Sequence, residues 1–549
     1  MPQDIYEKIM MLAKRRGFIY PSFEIYGGVA GFYDYGPLGS HLKLNIENLW
    51  RKFYNLKDNC VEINTPTVTL YDVLKASGHV NEFTDLTVDC KKCNQSYKVE
   101  DIIGNISINE AIKNNKVKCP NCGTDLKDTY PVNLMFSTTI GIGNVRDAFL
   151  RPEAAQGIFT DFHLLYRYAR EKLPFGVIQV GRGYRNEVSP RQGIIRLREF
   201  SMAEAEIFFH PEEKNHPDFD RVKDKELYLF NNNKEMKLSA EKAVKTKVIN
   251  NQALAYYMYL TQEFLLTAGV NPKKFRFRKH ADNELAHYAT ECWDAELFSE
   301  RFGWIECVGI ADRSAYDLQS HIDSSGKDMY ALKKYDKPRI VKVKKIVPKM
   351  DVLGPFFKGK TGHIKTILEN MELKDAKEIT VKIDGKIVEI PKNCYEVIEK
   401  EEKKTGDKFV PHVIEPSYGI DRILYCIIEH SYYEGNKKGE DYKILKFNPI
   451  IAPIKVGVLS LTSDERLLKI AKEIDRNLRD AGILTYHDES GSIGRRYARM
   501  DEIGTPFCIT VDHDSIDNKT VTIRDRDTTK QVRKKIDEVV SFIKDKISS

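Results

Sequence analysis

The sequence predicts an α+β chain: a large domain built on an antiparallel sheet and interrupted by insertions, followed by a smaller α/β domain. Three observations carry this. Strand-like segments on either side of Ser189-Pro190-Arg191-Gln192-Gly193 read as an antiparallel hairpin. Two Cys-x-x-Cys pairs, Cys90/Cys93 and Cys119/Cys122, mark a ribbon-like metal insertion rather than a disulfide framework. Past Pro453, strands and helices alternate, which implies a small, mostly parallel α/β unit. The expected division is 1–453 and 454–549, with insertions at about 84–130, 211–274 and 333–408.

Composition sets the outer limits. With 549 residues, 42% hydrophobic and 30% charged, the chain has material for several cores and is not disordered throughout. Its 86 basic and 80 acidic residues leave a net charge of +6, too small to establish a polyanionic partner unless the charge is clustered. No stretch approaches the roughly 20 apolar residues that span a bilayer, and the start Met1-Pro2-Gln3-Asp4 has no signal-peptide core. The expectation is no membrane partner and a reducing, cytoplasmic setting, because the cysteines outside the two pairs are scattered singly.

Each element follows from local pattern. Ile5, Ile9, Leu12 and Ala13 recur at helical spacing up to Gly17, a residue suited to the left-handed position after a helix. Residues 22–39, rich in glycine and tyrosine, read as loops lining a cleft. Ser40 is placed to cap a helix with the stripe Leu42, Ile46, Leu49 and Phe53, followed by a strand at Cys60–Asn64 and a stop at Pro66. The charge-rich span from Pro211 to Lys274, with an amphipathic run at Ala253–Leu266, reads as a helical insertion. Strands resume at Phe275–Arg278 and Trp304–Gly309. In the second insertion, Ile379–Ile383 and Lys386–Ile390 flank Asp384-Gly385, the signal of a type I′ hairpin. Phe409–Ser417 is expected to be a strand running into an apolar helix, Gly419–His430. In the last domain the expected strands are Lys455–Leu461, Ile483–Tyr486, Phe507–Val511 and Thr520–Arg524, and the helices Ser463–Asp480, Ile493–Ile503 and Thr529–Ile547.

Three groups of residues carry chemistry. Cys90, Cys93, Cys119 and Cys122 suit a tetrahedral Zn²⁺, structural because four thiolates leave no open position. Around the first hairpin, alternate strand positions bring Arg185, Glu187, Arg196 and Arg198 toward one surface. Guanidinium forks there suit a nucleotide triphosphate, and acceptors suit an exocyclic amine. A salt-bridged hairpin facing solvent explains that segment alone equally well. The balance is tipped by Glu415-Pro416-Ser417-Tyr418-Gly419-Ile420-Asp421-Arg422, a strand-to-helix junction with an acid, a hydroxyl and an arginine at the first turn.

Together the two segments resemble motifs 2 and 3 of the class II aminoacyl-tRNA synthetases. The unit from residue 40 to Pro66 resembles their motif 1, which in that family forms the dimer interface. Gly27–Gly39, Arg151-Pro152-Glu153, Arg185-Asn186-Glu187, Arg198-Glu199-Phe200, Cys292–Glu296, Trp304–Arg313 and Glu415-Pro416-Ser417 are similar to the glycyl-tRNA synthetases of homodimeric type. The terminal α/β domain resembles the anticodon-binding domain of the glycyl, histidyl, prolyl and threonyl enzymes.

The resemblance implies attachment of glycine to tRNA(Gly) through a glycyl-adenylate, with ATP as substrate and Mg²⁺ as its cofactor, by a homodimer. It implies a catalytic set of Arg185 for the α-phosphate, Glu187 for the adenine amine, and Arg422 for the γ-phosphate or an adenine stack. Arg191 would reach the outer phosphates. Asn186, Ile195, Arg196, Leu197, Arg198, Glu199, Phe200, Cys307, Arg313, Gly419, Ile420 and Asp421 complete the implied ATP site, and Glu306 is the implied Mg²⁺ ligand. Glu153, Glu204 and Glu415 would surround the substrate ammonium, with Ser417, Phe200, Ser201, Met202 and Gly419 beside it. Nothing smaller than glycine competes for such a pocket, so no editing domain is expected. Asp488, Glu489, Arg495, Arg496 and Arg499 are the expected anticodon contacts, and Lys333–Lys345 with Lys358–Lys365 the expected acceptor-arm contacts. Two other readings stay open at this point: a binding protein that keeps the fold without activation chemistry, and a synthetase for alanine, serine or proline.

Overall fold

The structure, a computed structural model, describes residues 4–103, 117–126, 128–190, 193–281, 284–285, 289–371, 379–383, 386–437 and 440–548. Two compact units result: Met1–Met329 with Val410–Ser549, and Tyr330–Phe409. Among the described residues no helix is long and apolar enough to cross a membrane.

In the first unit, Asp4 caps α1 (Ile5–Arg16) and Gly17 closes it at φ 78°, as its spacing predicts. Helix α2 (Pro37–Arg51) begins earlier than the cap expected at Ser40. Pro37 takes the first helical position, where its missing N–H costs nothing, and Gly36 serves as the N-cap.

A nine-stranded sheet organises the rest. Its strands are β1 (Val61–Glu62), β2 (Phe175–Tyr184), β3 (Glu199–Phe209), β4 (Glu226–Asn231), β5 (Lys234–Ser239), β6 (Phe275–Lys279), β7 (Glu291–Ser299), β8 (Gly303–Ser314) and β9 (His412–Gly419). They run in the order β5-β4-β6-β7-β8-β9-β3-β2-β1. Pairing is antiparallel except for β1 with β2 and β4 with β6. Helices α3 (Ala155–Thr160), α4 (Gln252–Thr267) and α5 (Ile420–Ser431) pack around it.

Alternation along the central strands divides their residues between core and site. Ala203, Ala205, Ile207 and Phe209 of β3, Val308 and Ile310 of β8, and Ile414 and Tyr418 of β9 enter the core shared with α1, α2, α4 and α5. There the Tyr418 hydroxyl meets Tyr54 Oη at 2.9 Å and Thr261 Oγ1 at 2.6 Å. The residues between them, Glu204, Glu206, Gly309, Glu415 and Ser417, belong to the other face, where α3 packs against β3.

The span 211–274 is not simply helical. It supplies β4 and β5, which extend the sheet, as well as α4. Leu227 and Leu229 alternate inward on β4, and Lys234 and Lys237 fall on the outer strand β5, where charge protects a sheet edge, while Lys242 and Lys245 lie on a short helix, Ala240–Lys245. Cys90 ends the first strand of a separate three-stranded sheet of Thr84–Cys90, Gln95–Lys98 and Tyr130–Asn133, Cys93, Cys119 and Cys122 lie on turns and loops beyond its strands, and Val88, Tyr97, Val99 and Leu126 form the accompanying core.

The C-terminal sheet contains β10 (Val456–Ser460), β11 (Thr485–Asp488), β12 (Phe507–Val511), β13 (Thr520–Asp525) and β14 (Gln531–Lys535), in the order β11-β10-β12-β13-β14. Helices α6 (Glu465–Asp480), α7 (Ile493–Glu502) and α8 (Val539–Ser548) accompany it. Only β10, β11 and β12 are mutually parallel. The connection from Asp525 to Gln531 is too short for a crossover, so Gln531–Lys535 forms a hairpin strand instead of opening the last helix. Asn45 Nδ2 donates to the carbonyls of Ile451 at 3.1 Å and Ala452 at 3.0 Å, and buried Arg526 donates to Gly504 O and Phe447 O, both at 2.8 Å. These bonds join the C-terminal sheet to the central domain.

The second unit is a long antiparallel ribbon of Ala331–Pro348 with Tyr395–Phe409. It carries its own core of Ile346, Leu353, Ile364, Leu368, Ile379 and Cys394. Ile379–Ile383 and Lys386–Ile390 pair antiparallel as their alternation predicts; the turn residues Asp384 and Gly385 lie outside the described residues.

Candidate active site

The register of the sheet lays out a row across its open face: Gln179 of β2 opposite Glu204, Glu204 opposite Ser417, Ser417 opposite Gly309, Gly309 opposite Asp294, and Asp294 opposite Arg278. Above this row a cavity of about 270 Å³ is lined at one end by Glu153, Glu204, Glu415 and Arg313, and at the other by Arg185, Phe200 and Arg422.

The acidic end is buried. Glu204 accepts from Ser417 Oγ at 3.0 Å and from the Ala154 N–H at 2.6 Å. Arg313 donates through Nη1 to both oxygens of Glu415, at 3.0 and 2.8 Å, and through Nε and Nη2 to Asp317, at 2.7 and 2.8 Å. Its charge is thus taken up by carboxylates, which sets it apart from the phosphate role expected of it. Burial opposes ionisation of Glu153, but His79 at 3.5 Å and Arg313 at 3.9 Å outweigh it and hold this carboxyl well below the usual range. Burial, reinforced by Glu153 and Glu415, pushes Glu204 up to about 8. Glu206, one turn of the pleat further along β3, is fully buried, and neither of its oxygens has a hydrogen-bond partner among the described residues. Burial, with Glu415 nearby, raises it well above the carboxylate range.

The other end is cationic and aromatic. The Arg185 guanidinium lies 5.2 Å from the Phe83 ring and 5.3 Å from Phe200, and it forms no ion pair among the described residues. Glu187 is raised by burial, against the pull of Arg196 and Arg185. Arg422 donates to Ile195 O at 3.1 Å and Glu306 O at 2.7 Å, so its plane forms a fixed wall. Glu306 keeps an exposed carboxylate 3.9 Å from Arg422. Ile195, Arg196, Leu197, Ser201, Met202, Cys307 and Gly419 also line the cavity.

Several expected residues serve the frame instead. β2 and β3 stop pairing at Tyr184 and Glu199, so Arg185, Asn186, Glu187, Arg196 and Arg198 sit on irregular backbone beyond the hairpin, and strand alternation does not set their directions. Arg198 donates to Ala30 O and Glu187 O, both at 2.9 Å, bracing the loop. The backbone N–H of Asn186 donates to Leu134 O. Glu199 pairs with Arg182 at 3.6 Å outside the cavity lining. Ile420 is a core residue, and the Asp421 carboxylate accepts from Tyr35 Oη and the Ser201 N–H. Arg191 lies outside the described residues. His280 lines the cavity yet escapes sequence reading because it sits alone at the end of a strand-like pattern; Asp294 and Gly309 fall within the Cys292–Glu296 and Trp304–Arg313 segments, but only register brings them to the cavity.

In the terminal domain, Arg496 is buried and donates to Ser460 O at 2.6 Å and Asp488 O at 3.2 Å, a packing role that removes it from any outward contact. Asp488 is likewise buried and accepts from Arg499 Nε at 2.8 Å. Glu489 and Arg495 are exposed. The four paired cysteines converge: Cys90 and Cys122 sulfurs lie 3.5 Å apart, and Cys93 and Cys119 sulfurs 3.6 Å apart. Tetrahedral bonds of about 2.3 Å to zinc place sulfurs about 3.8 Å apart, so this set fits the ion.

A sheet of this order with the nucleotide-type end and the acidic end on one face defines the core of a class II aminoacyl-tRNA synthetase. Residues 138–431 match the tRNA synthetase class II core domain (G, H, P, S and T), and residues 451–546 match the anticodon binding domain. The chain is 48% identical to a glycine–tRNA ligase of Methanocaldococcus jannaschii, over 100% of both chains. It is 47% identical to that of Methanothrix thermoacetophila and 48% identical to that of Archaeoglobus fulgidus, each over 99% of this chain and 97% of the relative. It belongs to the glycine–tRNA ligase family. Among solved structures, Giardia lamblia prolyl-tRNA synthetase in complex with prolyl-adenylate shares the fold at a TM-score of 0.54 and 14% identity, over 99% of this chain and 79% of that one.

The raised Glu204 has a consequence for stability. Between its ordinary value of 4.5 and about 8, the native state holds a proton that the unfolded chain has released, so stability falls as pH rises through that window. Glu204→Gln removes this dependence. Thermal unfolding of the ligand-free protein between about pH 5 and pH 8 should show a smaller fall in Tm for the variant than for the wild type, and equal slopes would contradict the assignment.

Proposed function

We propose that the chain activates glycine with ATP and transfers it to the 3′-terminal adenosine of tRNA(Gly). The observation that carries this reading is the single cavity with a cationic, aromatic end and a carboxylate end. In the first step a glycine carboxylate oxygen bonds to the α-phosphorus, and the bond to pyrophosphate breaks, with the electron pair leaving on pyrophosphate. Such a step needs alignment and charge neutralisation rather than a protein nucleophile. Arg185, which forms no ion pair among the described residues, is the α-phosphate ligand. Glu187 accepts from the adenine amine, and the ring lies between Phe200 and the fixed plane of Arg422. Arg191 and Arg196 serve the outer phosphates, and Glu306 would hold Mg²⁺, which neutralises phosphate charge when bound. Glu153, Glu204 and Glu415 hold the substrate ammonium, with Ser417 fixing Glu204. Transfer then forms the ester bond from the tRNA hydroxyl to the glycyl carbonyl and expels AMP.

The same reading divides the chain into a catalytic domain, 1–453, with insertions near 84–130, 211–274 and 333–408, and an anticodon-binding domain, 454–549. Arg495 is exposed there to bases and phosphates, while Arg499 is held by Asp488 at 2.8 Å and Glu489 by His487 at 2.7 Å, so these two would have to exchange those partners for a base; arginine reads guanine and carboxylates accept from cytosine amines. The working form is a cytoplasmic homodimer. Exposed apolar side chains on the strands and loop near motif 1, Val68, Ile140, Ile142 and Val145, support a covered surface. The four cysteines hold a structural Zn²⁺.

Glycine should support ATP–pyrophosphate exchange in preference to alanine, serine and proline, and Arg185→Ala should lower the exchange rate by about 10²–10³. Preference for another amino acid, or no exchange, would refute the proposal. Zinc analysis should find one ion per chain that is lost in Cys93→Ser, with the ribbon becoming protease-sensitive while glycine-dependent exchange is still measurable. An unchanged metal content in that variant would exclude the site.

A further inference from the structure

The cysteine-bearing insertion touches the cationic end of the cavity at several points. Ser189 Oγ donates to Ser96 O at 2.6 Å, and the Asn186 N–H donates to Leu134 O at 2.7 Å. Phe83, just ahead of the strand Thr84–Cys90, supplies one of the two rings beside the Arg185 guanidinium. The most direct contact is an ion pair. Arg196 Nη1 donates to Asp101 Oδ2 at 2.6 Å, across 95 residues of sequence, and the two side chains are only 23% and 33% exposed. The scheme above makes no use of this pair.

Both partners are anchored by packing. Asp101 lies on the helix Val99–Ile103, whose Val99 is fully buried in the core that also holds Cys90 and Cys119, with Ile102 and Ile103 packed against it. The neighbouring acids are engaged elsewhere: Lys98 Nζ lies 2.9 Å from both Asp85 and Glu100. On the other side, Arg196 follows buried Ile194 and Ile195, and Ile195 O accepts from Arg422 Nε at 3.1 Å. The base of the arginine side chain is thus fixed by the core and its tip by the insertion. Glu187, 3.9 Å from Arg196 Nε, is beyond hydrogen-bond reach. Arg196 lines the cavity and Asp101 does not, so the carboxylate holds the cation from outside the space a nucleotide would take. A guanidinium carries five N–H donors, and with Nη1 engaged, donors remain for phosphate oxygens. An arginine ordered before its ligand arrives loses less freedom on binding, which is the advantage of preorganisation.

We propose that Asp101, in the cysteine-bearing insertion, is a positioning residue for ATP: it holds Arg196 in the geometry that meets the outer phosphates. This rests on the ATP reading of the cavity. The test is glycine-dependent ATP–pyrophosphate exchange in the wild type, Asp101→Ala, Arg196→Ala and the double variant, with KM for ATP and KM for glycine measured separately. Asp101→Asn takes the place of Asp101→Ala if thermal unfolding shows the latter misfolded. Removing the carboxylate should raise KM for ATP about three- to tenfold, the scale of one lost hydrogen bond, with kcat and KM for glycine little changed. In the Arg196→Ala background the same change should add little. A KM for ATP that stays the same or falls would overturn the proposal, a fall by showing that the carboxylate holds the arginine back. So would an equal rise in both backgrounds, or a loss shared by both substrates, since either marks general damage to the fold. If the wild type does not exchange at all, the ATP reading fails and the proposal with it, whereas a wild type that exchanges confines any failure to Asp101.

Discussion

One guanidinium, that of Arg313, is buried among Glu153, Glu204, Glu206, Glu415 and Asp317. Its hydrogen bonds go to Glu415 and Asp317, which leaves the remaining carboxyls short of positive charge in a place where burying an unpaired anion is costly. Burial and the neighbouring carboxyls raise Glu204 and Glu206, which favours their neutral forms. A small cationic ligand answers the shortage better, because it restores charge balance without leaving a buried carboxylate alone. Selection of an unbranched amino acid needs little else. On the proposed reading there is no side chain to grip, and packed carboxylates and the backbone would close on the amine.

This arrangement depends on strands serving two purposes. Along β3, alanines enter the core while Glu204 faces the cavity and Glu206 is buried on that same side of the sheet, and β9 alternates Ile414 and Tyr418 with Glu415 and Ser417. A slip of one residue in either register would exchange the two sets and put several carboxylates into the core. The core contacts of Tyr418 with Tyr54 and Thr261 therefore also hold Ser417 opposite Glu204. Site geometry is inherited from core packing.

Much of this was legible in the residues. Periodicity located α1, α5 and most strands of the terminal domain, and the cysteine spacing located a cluster whose sulfurs do converge. The misreadings have physical causes. Charge in 211–274 suggested exposed helix; some of it does lie on the helix Ala240–Lys245, but the rest sits on an edge strand and turns. Gln531–Lys535 was absorbed into a helix because its pairing partner is non-local. Arg496 reads as an exposed cation on a basic helix, yet it faces inward to three carbonyl oxygens, those of Ser460, Asp488 and Leu461. His280 carries no local signal, and Asp294 and Gly309 lie in segments whose pattern was legible but whose place on the cavity wall was not; the three meet only when β6, β7 and β8 align. Helical and strand periods report which side is buried, not what lies across the next strand.

The account predicts a proton inventory. If the ammonium of glycine takes the place of the proton on Glu204, binding at pH 7 must expel that proton. Calorimetric titration of glycine into the protein, in two buffers of different ionisation enthalpy, measures the number directly. Release of about one proton per site is the expected result, because a neighbouring cation lowers a carboxyl's pKa. Binding with no net proton exchange, or with uptake, would contradict the claim that the buried carboxylates await a cation.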